Sequence, residues 1–209
     1  MENELKRAEN ARNKIVRMKI FEKGKKLSEM SLEELWQLFP IVLTEHQPCW
    51  AEWYDSEVQS LKEVLPNDAR FYHVGSTAIN GIWAKPIIDI IVAVSDVNAM
   101  RQCADILSEC GYIVMSEADG RVSLNKGYTE SGFAERVFHL HIRLNDDIDE
   151  VYFKDYLNEC PEIAKEYEAL KLRLWKEFEH NRDAYTNAKT DFVNKYTRLA
   201  KELYIKNNE

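Results

Sequence analysis

Hydrophobic positions along this chain follow a helical period at both ends and a strand period in the middle. Between residues 2 and 24, Leu5, Ala8, Ala11, Ile15, Met18 and Phe21 recur every three or four positions among charges, which predicts a helix. Ser31 followed by Glu34, with Met30 and Leu35 as flanking apolar residues, forms a capping box and staple and starts a short helix over 31–38. Pro48 suits the start of a helix that reaches about Leu65, with Trp50, Trp53 and Tyr54 on or near its buried face. Strands are predicted over 70–74 and 86–94. Between the latter and a strand over 112–116, a helix runs from a Ser95 or Asp96 cap to about Cys110, with Gly111 placed to end it. Further strands are expected over 121–126 and 136–144, with 127–135 as a loop containing two glycines. Helices then follow over about 150–158, 161–179 and 185–204.

This order predicts an α+β fold of the α/β type, a mixed sheet flanked by helices, with additional C-terminal helices. The 209 residues, 45% of them hydrophobic, suffice for one domain with a real core. The reading divides the chain into a basic helical extension over 1–27 and a single domain over 28–209. No apolar run is long enough for a membrane span, and the first residues are too polar for a signal peptide, so a cytoplasmic protein with no membrane partner is expected. Cys49, Cys103, Cys110 and Cys160 lack metal-type spacing and read as free thiols. The net charge of −8 argues against a broad nucleic-acid surface. Residues 1–27 are the exception, with nine Lys or Arg against Glu2, Glu4, Glu9 and Glu22. That arm is either a solvated helix or a contact for nucleic acid or an acidic partner.

Candidate chemistry concentrates in FYHVGSTAINGIWAKPIIDIIVAV, residues 71–94. Gly75-Ser76-Thr77 follows a strand: glycine lets backbone N–H groups approach an anion, and the two hydroxyls add donors. The same pattern also serves as an ordinary turn. Asp89 stands alone in an apolar strand, where a carboxylate needs a proton, cation or donor. Positions 89 and 91 share a face, and two-metal sites often place acids at both, but position 91 is Ile. His139, His141 and Arg143 share a face of a later strand. The two histidines can bind a metal, accept a proton or pair with Asp89, or serve a purely structural hydrogen bond. Lys85, Lys126, Arg136 and Lys189 are cations able to meet phosphate, though each alone also reads as a surface charge. The aromatics Trp50, Trp53, Tyr152, Tyr156, Tyr167 and Trp175 read as core packing.

The run H-V-G-S-T-A-I-N-G-I-W-A-K-P-I-I-D-I, residues 73–90, resembles the GrpB-like family. The resemblance continues through Leu107–Tyr112, Phe138–His141, Phe153–Leu157, Leu170-Lys171 and Tyr185–Lys189, and covers about 30–205. Asn80 stands where the family usually has Pro. That family is similar to the nucleotidyltransferase superfamily and to a domain fused to some bacterial dephospho-CoA kinases. The resemblance implies a nucleotidyltransferase-like fold in which Gly75, Ser76 and Thr77 cradle nucleotide phosphates and Lys85 or Lys126 offsets their charge. Asp89 and His141 would be the catalytic pair and the ligands of Mg²⁺. The implied function is Mg²⁺-dependent nucleotidyl or phosphoryl transfer to a small acceptor. Ile91 and His141, standing where acids are expected, keep open the alternative of a non-catalytic module binding a nucleotide or CoA-like ligand. A third reading is an interaction protein, which only the basic arm favours.

Overall fold

A computed structural model describes residues 25–118 and 120–206. The helix expected over 2–24 and most of the basic arm lie outside the described residues. The described part builds a five-stranded mixed sheet with helices on both faces. The strands are β1 (Arg70–Val74), β2 (Ile88–Val94), β3 (Ile113–Ala118), β4 (Arg121–Thr129) and β5 (Gly132–Leu144), in the order β1-β2-β5-β4-β3. Only β2 and β5 run parallel; the other neighbours are antiparallel. The helices are α1 (Leu32–Leu38), α2 (Cys49–Val64), α3 (Val97–Glu109), α4 (Asp149–Glu159), α5 (Pro161–Phe178), α6 (Arg182–Asn187) and α7 (Thr190–Lys206).

Local chemistry explains several boundaries. The Ser31 side chain accepts from the Glu34 N–H, and the Glu34 carboxylate accepts from the Ser31 N–H, which fixes the start of α1. Asp96 caps α3 by accepting from the N–H groups of Asn98 and Ala99. Gly111, at φ +85°, lets the chain leave α3 in the left-handed region.

Strand parity divides the molecule. Ile88, Ile90, Val92, Leu124, Phe138, Leu140 and Ile142 point to one face and pack with Trp50, Val58 and Leu61 of α2 and Met100, Cys103 and Leu107 of α3. This is the main core. Asp89, Ile91, His139 and His141 occupy the other face, which the C-terminal helices cover.

Two sequence expectations change. The segment 127–135 is not a loop: β4 continues to Thr129 and β5 begins at Gly132, so a tight hairpin forms. Gly127 makes this possible, because a Cβ there would lie 2.3 Å from the Arg136 carbonyl oxygen, and the register shifts between Lys126 and Tyr128 as in a β-bulge. The helix expected over 185–204 is two helices. Lys189 N–H bonds to the carbonyl of Thr186 rather than continuing the α-helical pattern, and the break separates α6 from α7.

Candidate functional site

A cavity of 440 Å³ lies between the polar face of the sheet and helices α4 to α7. Gly75, Ser76, Lys85, Asp89 and His139 line it from the sheet side. Tyr167, Lys171, Tyr185 and Lys189 reach it from the helices.

The Gly-Ser turn is built around Asp89. Gly75 has φ +71° and ψ −173°, a conformation that L side chains rarely adopt. A Cβ there would lie 2.2 Å from the Asp89 Oδ2 and 2.9 Å from its Cγ, so glycine is required for the close approach as well as for the backbone angle. Ser76 and the Tyr167 phenol both line the cavity. Thr77 does not face the cavity. It is buried, donates to the carbonyl of Ile87 at 3.1 Å, and meets His73 Nε2 at 3.1 Å. Its role is to tie the turn to the chain before β2.

The chain between the turn and β2 is clamped from the helices. Asn158 Oδ1 accepts from the Asn80 N–H at 2.9 Å, and its amide donates to the carbonyl of Ala78 at 3.0 Å. Proline at position 80 would lack that donor. Glu168 accepts from the Trp83 N–H at 2.7 Å, while Lys171 Nζ donates to the Trp83 carbonyl.

Asp89 meets both histidines. Its Oδ1 lies 3.2 Å from His139 Nδ1 and 3.8 Å from His141 Nε2. The three ligating atoms all lie within 4.8 Å of one another. Burial opposes the Asp89 charge, but the two imidazoles outweigh that cost and hold its carboxyl well below the usual range. Burial also lowers the pKa of His139 against the pull of Asp89, so a neutral ring suits the position. The side chain of Asp89 keeps 26% of its surface open, so a ligand can reach it.

Each histidine is anchored at its other ring nitrogen. His139 Nε2 lies 2.8 Å from the Tyr128 hydroxyl, which accepts from Arg182 at 3.0 Å. His141 Nδ1 lies 3.3 Å from Ser123 Oγ. Tyr128 could not be found while its segment read as a loop; the apolar-polar alternation on either side of Gly127 was the available signal.

Three lysines converge on the cavity. Lys85 is pushed down to about 7, first by burial and then by Arg182 and Lys189. Lys171, buried to 1% exposure, is also pushed down to about 7 by burial, with Lys189 adding to the effect. Lys189 is lowered to about 8 by burial, opposed by Asp89. None of the three forms an ion pair among the described residues. Two of them instead sit against the Tyr185 ring, Lys189 at 4.3 Å and Lys85 at 5.5 Å from its centre. Lys171 lies on a continuous helical pattern and was hidden there.

The structure places Lys126 elsewhere. It lies on the opposite face of the sheet, paired with Glu57 of α2 at 2.6 Å and set over the rings of Tyr112 and Phe138. One strand position separates it from Asn125, which pairs with His139, and that single step reverses its direction. Arg136 likewise packs on Trp53, away from the cavity.

The donor set does not match an all-oxygen Mg²⁺ cage. Mg²⁺ prefers octahedral oxygen ligands, and the triad offers one carboxylate. Ile91, at the position of an expected second acid, is fully buried in a closed apolar cluster with Val74 and Ala93.

Among known proteins, the glutamate-rich protein GrpB of Alkalihalophilus pseudofirmus is 33% identical over 73% of this chain and 91% of its own length. A crystal structure of the conserved protein GrpB from Enterococcus faecalis superposes with a TM-score of 0.69 and 31% identity, over 78% of this chain and 99% of that one. The Cid1 poly(U) polymerase is far more distant, at 13% identity and a TM-score of 0.45 over 64% of this chain and 44% of that one. The profile of the GrpB protein family matches residues 40–199, and the chain belongs to that family.

Proposed function

We propose that the protein binds a nucleoside triphosphate by its phosphates in the cavity beside Asp89 and transfers a nucleotidyl or phosphoryl group from it to a small hydroxyl-bearing acceptor, the broken phosphoanhydride releasing pyrophosphate or the nucleoside diphosphate respectively. The observation that carries this reading is the convergence of Lys85, Lys171 and Lys189 on one cavity with none of them in a salt bridge among the described residues. Burial penalises each ammonium group, and a polyphosphate would supply the missing negative charge. The Ser76 hydroxyl, beside the Gly75 backbone, adds donors on the opposite wall.

In this reading the lysines bind the phosphates and stabilise charge that develops on the transferred group. Asp89, strongly ionised, orients His139 rather than taking a proton itself. With no metal on the triad, His141, whose Nε2 lies 3.8 Å from Asp89 Oδ1, would serve as the base that accepts the proton of an acceptor hydroxyl. Any Mg²⁺ would travel with the nucleotide phosphates and find one protein oxygen here, Asp89.

A second reading is a binding module that holds a nucleotide or CoA-like ligand without turnover. The apolar burial of Ile91 favours it, because that position supplies no second strand carboxylate.

A thermal-shift screen with ATP, GTP, CTP, UTP and CoA, each with and without Mg²⁺, tests both. A ligand at about 100 times its dissociation constant stabilises by about 2.7 kcal/mol. Lys189→Met should abolish the shift. Asp89→Asn should abolish turnover in the first reading and leave affinity nearly intact in the second. No shift with any of these ligands would refute both.

A further inference from the structure

We infer that Asp89, His139 and His141 form a binding site for a first-row transition-metal ion, with Zn²⁺ or Fe²⁺ preferred over Mg²⁺. This inference stands whether or not a nucleotide binds, because it rests on the triad alone.

The ligand types come first. One carboxylate and two imidazoles are the donors that suit Zn²⁺, Fe²⁺ and their neighbours, whereas Mg²⁺ seeks oxygen. Their placement follows from the sheet. β2 and β5 are parallel neighbours with Asp89 directly opposite His139, and His141 is two residues further on the same face. A three-ligand cluster on one face leaves the remaining positions of an ion open toward the cavity.

The distances fit a shared ion. Donor atoms about 2.1 Å from a common centre lie about 3.0 Å apart at a right angle and about 3.4 Å apart at the tetrahedral angle. The Asp89–His139 separation of 3.2 Å falls between these values. The Asp89–His141 separation is 3.8 Å and all three donor atoms lie within 4.8 Å of one another, so binding requires the His141 ring to draw in toward the ion.

The outer contacts are those that a metal-binding histidine needs. A ligating imidazole presents a lone pair to the ion and gives its other N–H to a fixed acceptor. His139 would bind through Nδ1 and donate from Nε2 to the Tyr128 hydroxyl 2.8 Å away, whose oxygen also accepts from Arg182. His141 would bind through Nε2 and donate from Nδ1 to Ser123 Oγ, 3.3 Å away. An ionised Asp89 can only accept, so the hydrogen bond to it in the metal-free site requires the His139 proton on Nδ1, and metal binding there would move that proton to the Tyr128 side.

The test uses the full chain, stripped of metal and free of nucleotide, with Mn²⁺ as the probe followed by electron paramagnetic resonance. One equivalent of Mn²⁺ should lose its free-ion signal. Zn²⁺ should restore that signal by displacement at a concentration about 100-fold below that needed with Mg²⁺. Tyr128→Phe should weaken binding about tenfold. The double variant His139→Gln with His141→Asn should abolish it, and Cys110→Ser, which removes an exposed thiol, should leave it unchanged. In the unaltered protein, Zn²⁺ should shift the ring signals of His139 and His141 in nuclear magnetic resonance, and not those of His46 or His180. That readout decides the matter if the double variant does not fold. Equal displacement by Mg²⁺ and Zn²⁺, shifts confined to other histidines, or loss of binding in Cys110→Ser would each overturn the assignment.

Discussion

Replacing Gly75 with alanine tests the contact on which the site is built. Two costs arise from separate features. The backbone at φ +71° and ψ −173° lies in a region that only glycine occupies comfortably, and an L residue there costs about 1–3 kcal/mol. The new Cβ would also sit 2.2 Å from Asp89 Oδ2, so the carboxylate must retreat by about 1 Å to reach ordinary contact. Asp89 is short and lies on a central strand, so its retreat breaks the 3.2 Å bond from His139, and a hydrogen bond to an ionised group is worth about 1.5–3 kcal/mol. Together these predict a loss of about 3–5 kcal/mol, a large part of the stability of an ordinary domain. Gly81 provides the control. It has φ +69° and open space within 4 Å of the point a methyl group would occupy, so Gly81→Ala should carry only a backbone cost of about 1–2 kcal/mol. Urea unfolding followed by circular dichroism measures both variants. Equal losses within about 0.5 kcal/mol would refute the claim that Gly75 is required by Asp89.

Three other outcomes follow from the same geometry. Ile91→Asp, which installs the acid expected of a two-metal site, should destabilise the protein by about 3–5 kcal/mol in urea and create no additional Mg²⁺ binding, because position 91 is a closed apolar cluster. Lys85, Lys171 and Lys189 have pKa values below that of an unfolded lysine, so the unfolded chain binds more protons between about pH 7 and 10.5. The urea midpoint of the ligand-free protein should therefore rise from pH 7 to about pH 8.5, while affinity for a triphosphate should fall by up to about tenfold per pH unit for each lysine that loses its proton; the opposite slopes would remove the lysines from the site. Lys126→Met should leave triphosphate affinity, measured by calorimetry, unchanged within about twofold, since its partner is Glu57 on the other face of the sheet.

How much of this was legible in the sequence depended on the range of the interaction. Capping and strand parity act over a few residues. The Ser31–Glu34 box, the Asp96 cap and the shared face of His139 and His141 could therefore be read directly, and Asp89 was identifiable because an acid in an apolar strand demands a partner. Parity was less useful where a bulge intervened. The shift at Gly127 hid Tyr128 inside an apparent loop, and the choice between the faces of β4 determines that Lys126 meets Glu57 rather than phosphate. His139 and His141 could not be ranked as partners of Asp89 from spacing alone. Their order follows from the parallel register of β2 and β5, a pairing between segments 50 residues apart. Lys189 was already a candidate phosphate cation in the sequence, whereas Lys171 was least accessible, because its significance depends on the packing of α5 against the sheet.

The charge arrangement of the cavity connects these residues. At one end, two imidazoles favour the ionised form of Asp89 strongly enough to overcome its burial. At the other, burial works against three ammonium groups that form no salt bridge among the described residues; Glu168 offsets part of the charge of Lys171, and Asp89, already committed to the histidines, part of that of Lys85 and Lys189. The folded chain thus leaves its positive charge undercompensated inside a cavity. Neutral lysines relieve that cost at the expense of binding protons below their usual range. A bound anion relieves it without proton loss, and a cation on the Asp89–His139–His141 triad would draw that anion toward the Gly75–Ser76 turn. The two halves of the site are therefore complementary in sign: an anionic group held between them satisfies the lysines and meets a metal at the triad, which neither half can do for a neutral ligand.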